Sequence, residues 1–289
     1  MRIGIGIPNT MPGISGPDLV AWAQRAEARG FSTLATIDRI MYPNYDSLIT
    51  LAAAAAVTQR IGLLTNVLLG PTRPTPLLAK SAASLDQISG GRFILGLGVG
   101  GREDDYQAVG VDFHQRGRIF DAQLEALGVA WSGAPQGANG KASTPPPTHG
   151  GAVPILIGGS TDAAIERAVK YGIGWTAGGA PPEQSAPFIA RLRAAWQAAG
   201  REGQPRLVAL CYFGLGPQAD AAIHAYIDDY YGFLPWAGQM AASLPRNPED
   251  LRSFITRLEA AGYDEVIFDP TSGDLAQVDL LADAVLPGR

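Results

Sequence analysis

The sequence is poor in the residues that several common chemistries require. Its single cysteine, Cys211, excludes a disulfide within the chain and is typical of a protein from a reducing compartment. Three scattered histidines cannot supply the clustered ligands of a metal site, so no bound metal is expected. The three lysines fall in predicted helices or in a loop, which argues against a Schiff-base enzyme that needs a lysine on a strand.

Charge is also scarce. Charged residues make up 17% of the chain, and its net charge of −5 gives no reason to expect a nucleic acid or an anionic membrane as a partner. The apolar run at residues 47–57 is too short to cross a bilayer, and the N-terminus has no stretch typical of a signal peptide. We therefore expect a cytoplasmic protein.

What the sequence does contain is a regular alternation of apolar strand patterns and amphipathic helices. Several strands are continuously apolar, as in parallel sheets with two buried faces. Eight such strand–helix units predict an α/β fold, a single-domain (β/α)8 TIM barrel over residues 1–289, with an open doubly wound sheet as the alternative. Residues 132–151, rich in proline and glycine, are predicted to form an irregular loop. The predicted strands are residues 2–8, 31–38, 61–69, 92–100, 154–159, 174–179, 206–216 and 264–270.

The fourth predicted strand carries Gly96, Gly98 and Gly101 at the spacing of a dinucleotide-binding turn, and Asp121 follows about 20 residues later. In the dinucleotide fold, however, the glycines follow the first strand and lead directly into a helix. Two other roles fit this position better. Gly96 would leave room inside a tight barrel, and the glycines at the exit of the strand would let a ligand approach the backbone.

Residues 78–113, LAKSAASLDQISGGRFILGLGVGGREDDYQAVGVDF, resemble the luciferase-like monooxygenase superfamily. Members of this superfamily are TIM-barrel oxidoreductases that use FMN or the deazaflavin F420. A second family hallmark, a PxxIGGS strand followed by an alanine-rich helix and GW, is similar to VPILIGGSTDAAIERAVKYGIGW at residues 153–175. The resemblance covers the whole chain, although the helices after residue 215 fit only loosely.

The resemblance implies a cofactor ring across the mouth of the barrel, with FMN favoured and F420 as the alternative. Asn66 and Val67 match the place where many members have a non-prolyl cis peptide beneath the ring. The turn at residues 159–161 matches the family's phosphate site, and a helix N-terminus there would favour an anion. Simple capping by Ser160 or Thr161 is a compatible alternative. The predicted cofactor-binding residues are Asn66, Val67, Gly98, Gly100, Gly101, Gly158, Gly159, Ser160, Thr161, Trp175 and Thr176.

The resemblance also points to residues for the chemistry. Many relatives have an Asp-His pair at the end of the second strand, where this sequence has Asp38 and Arg39. Arginine cannot act as an acid at neutral pH, but it can stabilise negative charge; a plain Asp38–Arg39 ion pair is the alternative. The predicted catalytic residues are Asp38, Arg39, Tyr106 and His114. The predicted substrate pocket contains Tyr212, Tyr231 and Trp236, with an aromatic lid at residues 230–238; a packing surface of a helix is the alternative for this segment.

These features predict an FMNH2-using monooxygenase that acts on a small apolar organic substrate. A separate flavin reductase would supply the reduced cofactor, because no second nucleotide fingerprint is present, and a homodimer is expected. The alternatives are an F420-dependent hydride-transfer oxidoreductase and a non-catalytic flavin-binding protein.

Overall fold

Parallel strands close into a barrel in the computed structural model, which describes residues 1–136, 138–179 and 181–286. The strands are β1 Arg2–Gly6, β2 Thr33–Thr36, β3 Gly62–Thr65, β4 Leu68–Leu69, β5 Phe93–Gly98, β6 Ile155–Gly158, β7 Gly174–Thr176, β8 Arg206–Phe213 and β9 Glu265–Pro270. Two of them, β3 and β4, are successive pieces of one barrel strand that pair with β5, and this pairing closes the ring. The predicted eight-stranded TIM barrel is confirmed, and the open doubly wound alternative is wrong.

Helices cover the outside of the barrel. The first begins after Ser15, whose side chain forms a capping box with Asp18, and it ends at a left-handed glycine, Gly30. The short α4 and α9 were not predicted, because fewer than eight residues show no clear helical periodicity. The helices are α1 Gly16–Arg29, α2 Ser47–Val57, α3 Thr75–Ser89, α4 Glu103–Ala108, α5 Arg116–Trp131, α6 Asp162–Tyr171, α7 Pro182–Ala198, α8 Ala219–Tyr231, α9 Ala237–Ser243, α10 Pro248–Ala261 and α11 Ala276–Val285.

The inside of the barrel is filled by side chains in layers. Because side chains alternate along a strand, Glu265 and Asp269 point inward from β9, as Ile267 does between them. Glu265 lies at the amino-terminal end, where it accepts hydrogen bonds from the hydroxyls of Ser32 (2.5 Å) and Thr33 (2.6 Å). Asp269 lies at the carboxyl-terminal end, which forms the barrel mouth. The middle layer consists of Ala35, Leu64, Leu156, Val208 and Ile267.

Gly96 has the packing role that the sequence predicted. A Cβ atom at this position would overlap the carbonyl oxygen of Thr65 on the neighbouring strand. The Thr65 hydroxyl also donates a hydrogen bond to the Gly96 carbonyl over 2.8 Å. A side chain at residue 96 would therefore push β3 and β5 apart.

The segment 132–151 is irregular in its described part, as predicted. Gln136 and Lys141 form an isolated antiparallel bridge there, while residue 137 lies outside the described residues. Across the described ranges, we find no helix that combines the length and apolar character needed to cross a membrane.

Candidate functional site

The third barrel strand is interrupted at the mouth, where Asn66 and Val67 are joined by a non-prolyl cis peptide, as predicted. The Asn66 side chain lies inside the barrel, and its Oδ1 accepts a 2.5 Å hydrogen bond from the hydroxyl of Thr176 on β7. This contact orients the amide. Its Nδ2 is buried and has no hydrogen-bond partner within the described parts of the chain. A buried donor without a partner is costly, so this amide is suited to bind an acceptor atom of a ligand.

The Val67 side chain accounts for the lack of a side chain at two of the glycines predicted to contact the cofactor. A Cβ at Gly98 would lie 2.8 Å from Val67 Cγ2, and one at Gly158 would lie 3.0 Å from Val67 Cγ1. Gly100 has a similar role beside Leu69 and a positive φ of 64°. The space beside these three glycines is thus filled by the chain's own side chains. Gly101 differs, because a Cβ there would meet no atom within 4 Å.

The turn before α6 keeps polar groups at the surface. Gly159 has a φ of 119°, and Thr161 occupies the N-cap position. The Thr161 side chain makes no capping hydrogen bond, and both Ser160 and Thr161 are exposed. Two hydroxyls and the free N–H groups of the first helical turn can therefore bind an anion. Asp162 adds a carboxylate nearby, which forms an ion pair with Arg191.

Trp175 and Thr176, predicted to line the same site, have opposite orientations. The indole of Trp175 packs outside the barrel against Phe188, with ring centroids 4.5 Å apart. Its N–H donates a hydrogen bond to the Gly159 carbonyl over 2.7 Å, so Trp175 stabilises the turn before α6 from outside the barrel. Thr176 points inward to Asn66. Trp175 thus packs on the outer face because side chains alternate across the sheet, and its contact with a cofactor stays a prediction.

Asp38 and Arg39 do not pair with each other, so the alternative of a local ion pair is wrong. The Asp38 carboxylate binds Arg73 over 2.9 Å, whereas Arg39 binds Asp105 over 2.7 Å and Asp104 over 2.9 Å. Burial raises the pKa of the Asp38 carboxyl above its ordinary value, and Arg73 opposes this shift. Sequence reasoning missed Arg73 and Asp105 because both partners are distant along the chain.

The other two predicted catalytic residues, Tyr106 and His114, differ in their exposure to solvent. Tyr106 is fully buried, its hydroxyl donates to the Val99 carbonyl, and burial raises its pKa to about 12. Tyr106 therefore fixes the exit of β5. His114 is exposed and contacts the edge of the Phe113 ring, with centroids 5.7 Å apart. A catalytic role for His114 therefore stays a prediction.

Two residues of the predicted lid, Tyr230 and Tyr231, pack with Tyr212 and Tyr226. We define these four residues as the tyrosine cluster. The hydroxyls of Tyr212 and Tyr231 are 2.8 Å apart, and the rings of Tyr226 and Tyr230 stack with centroids 5.5 Å apart. Three members are buried and Tyr231 is half-buried. Trp236, also predicted for the pocket, is 51% exposed and lies outside this cluster.

Asp269 is the site residue that sequence reasoning missed. Its carboxyl lies over Gly6, where a Cβ would overlap Asp269 Oδ1, and the residue pairs in register with Tyr212. It is 4% exposed and forms no hydrogen bond or ion pair with any residue of the described ranges. Burial raises its pKa to about 8. The alternation in residues 265–270 could have identified this acid, because it places residue 269 inside the mouth.

Comparisons with known proteins show which family and relatives the chain matches. The model of the luciferase-like monooxygenase family matches residues 1–264. The uncharacterized protein Rv0940c of Mycobacterium tuberculosis is 33% identical over 208 residues, which cover 62% of this chain and 71% of that protein.

Solved structures share the fold at low sequence identity. Monooxygenase RslO1 from Streptomyces bottropensis superposes with a TM-score of 0.81 at 23% identity, covering 99% of both chains. An F420-dependent secondary alcohol dehydrogenase with an F420-acetone adduct has a TM-score of 0.78 at 16% identity, covering 98% of both chains. The oxygenating constituent of 3,6-diketocamphane monooxygenase from Pseudomonas putida, in complex with FMN, has a TM-score of 0.78 at 16% identity, covering 99% and 98%.

Proposed function

Because the chain belongs to the luciferase-like monooxygenase family, we propose that it is an FMN-dependent monooxygenase that acts on a small apolar organic substrate. The observation that carries this proposal is the unpartnered amide Nδ2 of Asn66 inside the barrel mouth. Val67 packs against Gly158, so this amide and the turn before α6 lie at strand ends that are separated only by β5. A ligand with a hydrogen-bonding ring and a phosphate fits that pair of features.

The residues present fit both the ring and the phosphate of FMN. Asn66 would hold an acceptor atom of the ring, because Thr176 leaves the Nδ2 hydrogen atoms free. The hydroxyls of Ser160 and Thr161, with the first N–H groups of α6, would bind the phosphate. Reduced FMN, when bound, supplies the electrons that activate oxygen. The protein contributes orientation through these contacts.

The tyrosine cluster has a separate role in this proposal. Its rings cover the mouth beside β8 and bury Tyr212 to 1% exposure, so they keep water away from the reacting atoms. They also give the substrate an apolar, aromatic surface. Arg39 stays bound to Asp104 and Asp105 and thereby holds α4 against the exit of β2.

An F420-dependent hydride-transfer enzyme is the second candidate. The similarity to an F420-dependent secondary alcohol dehydrogenase favours it, since that protein shares the fold over nearly its whole length.

A homodimer and an external flavin reductase as the source of reduced FMN complete the proposal of an FMN-dependent monooxygenase. The dimer is checked by light scattering of the purified protein.

The deciding experiment is to titrate the purified protein with FMN and with F420 and then to mix each reduced complex with oxygen. We expect FMN to bind with a dissociation constant well below millimolar, and its reduced complex to consume oxygen faster when an apolar substrate is present. Tight binding of F420 alone would favour hydride transfer. Binding without any substrate-dependent oxidation would support a non-catalytic flavin-binding protein.

The phosphate site is tested separately with a Ser160→Asp, Thr161→Asp double variant. Two added carboxylates should repel the phosphate and weaken FMN binding at least about tenfold. Ser253→Asp is the matched control, because it adds a carboxylate at an exposed position on α10. Equal FMN affinities of the double variant and the control would refute the phosphate site.

A further inference from the structure

Asp269 is a buried acid that the proposed function leaves unused. It points into the barrel from the last strand, and the backbone at Gly6 approaches it so closely that no side chain fits between them. It is 4% exposed, and the described parts of the chain provide it with neither a hydrogen-bond partner nor a cation. A carboxyl in such a place stays protonated near neutral pH and keeps one O–H donor available.

The groups that face Asp269 are themselves neutral. Tyr212 is its neighbour on β8, and the remaining cluster tyrosines face it from α8; burial keeps the pKa of Tyr212, Tyr226 and Tyr230 well above the ordinary value. Two cations lie against the tyrosine cluster: Arg39 is 5.8 Å and Arg102 is 4.7 Å from the ring centroid of Tyr230. Arg39 is held by two carboxylates.

We propose that the Asp269 carboxyl donates a hydrogen bond to the substrate and thereby selects a neutral compound with a carbonyl oxygen on an apolar or aromatic frame. This inference rests on the proposed function, because it takes the barrel mouth as the substrate pocket. The aromatic rings would contact the frame, and the acid would recognise the oxygen. A charged group is disfavoured beside Asp269, since this position is 4% exposed and the described residues place no cation against it.

The test compares two probes that differ only at this oxygen, acetophenone and ethylbenzene. Their affinities are measured by calorimetry with the protein saturated with oxidised FMN, where no turnover occurs, and again without FMN. We expect acetophenone to bind about tenfold more tightly than ethylbenzene, the effect of one hydrogen bond in a buried site. This preference should fall as the pH rises from 7 to 10, because the carboxyl then loses its proton.

Two variants connect the preference to Asp269. Asp269→Leu removes the donor and should abolish the preference, whereas Asp269→Asn keeps an N–H donor and should retain it without the pH dependence. Asp269→Asn is nearly isosteric, so it remains informative if the leucine variant fails to fold.

The outcomes separate this inference from the proposed function. If wild-type protein binds FMN but treats the two probes alike, or if Asp269→Leu keeps the preference, the role of Asp269 is wrong and the cofactor proposal stands. If FMN does not bind but the preference and its loss in Asp269→Leu are observed, the cofactor proposal fails and the carbonyl site stands.

Discussion

At the scale of single residues, two aspartates at the barrel mouth show how partners decide the state of a buried acid. Asp38 and Asp269 both end barrel strands and are both almost inaccessible to solvent. Asp38 has the guanidinium of Arg73 2.9 Å away, and this ion pair opposes the rise in pKa that burial causes. Asp269 has no such cation within the described residues, and its burial is relieved by protonation instead. The same residue type thus has an ion-pair partner at one strand end and no cation among the described residues at the other.

The protonated state of Asp269 makes the stability of the protein depend on pH. The carboxyl titrates near its ordinary value of 3.8 in the unfolded chain but at about 8 in the folded protein. Between these values the folded state binds one more proton, so its free energy of unfolding falls as the pH rises, by up to about 1.4 kcal/mol per pH unit. The pH dependence of unfolding in urea should therefore be weaker in Asp269→Asn between pH 4 and 8. Identical slopes in the two proteins would show that Asp269 is ionised when folded.

Removing the charge of Asp38 should have a different consequence. Asp38→Asn leaves Arg73 partly buried with one fewer carboxylate and should lower the free energy of unfolding by about 3 kcal/mol. Asp220→Asn is the matched control, because its partner Arg246 is 31% exposed and Asp220 itself is 69% exposed, so its loss should cost about 1 kcal/mol or less. Urea denaturation of the three proteins gives both values. A cost for Asp38→Asn no larger than that of the control would mean that Arg73 does not depend on this carboxylate.

At the scale of secondary-structure elements, the interruption between β3 and β4 limits the size of the residues that β5 and β6 can have beside it. Val67 lies in the gap between these strands, and its side chain occupies the space beside β5 and β6. Glycine at residues 98 and 158 is the consequence, because any larger residue would compete with Val67 for that space. The glycine at the exit of β5 thus makes room for Val67, a residue of the chain's own third barrel strand.

This packing can be tested by a double-mutant cycle. A methyl group added by Gly98→Ala would lie 2.8 Å from Val67 Cγ2 and should lower the free energy of unfolding by about 2 kcal/mol. In a Val67→Ala background the same change should cost at least about 1 kcal/mol less, since the clashing atoms are gone. Gly101→Ala, where a Cβ meets open space, should be nearly neutral. Additive costs of the Gly98 and Val67 changes would contradict direct competition for one space.

At the scale of the whole molecule, the alternation of patterns was sufficient to predict the barrel but not the pairing of charges at its mouth. Eight strand–helix units can be counted along the chain, and local periodicity places each strand within a few residues. Arg39 was interpreted from its neighbour Asp38, whereas its partner Asp105 is 66 residues away. Such a partner is defined only when the loops after different strands meet. Asp269 could have been predicted from the sequence, because its inward direction follows from the same two-residue period as that of the core residues.

Cofactor binding should stabilise the barrel as a whole, and the phosphate allows a sharp comparison. A ligand present at a hundred times its dissociation constant stabilises the folded state by about 2.7 kcal/mol, which corresponds to roughly 5 °C in melting temperature for a protein of this size. We expect FMN to raise the melting temperature by that amount and riboflavin, which has the same ring but no phosphate, to raise it much less at equal concentration. The difference should disappear in the Ser160→Asp, Thr161→Asp variant and persist in Ser253→Asp. If riboflavin stabilises the wild-type protein as well as FMN does, the ring alone carries the binding energy, and the N-terminus of α6 contributes nothing to it.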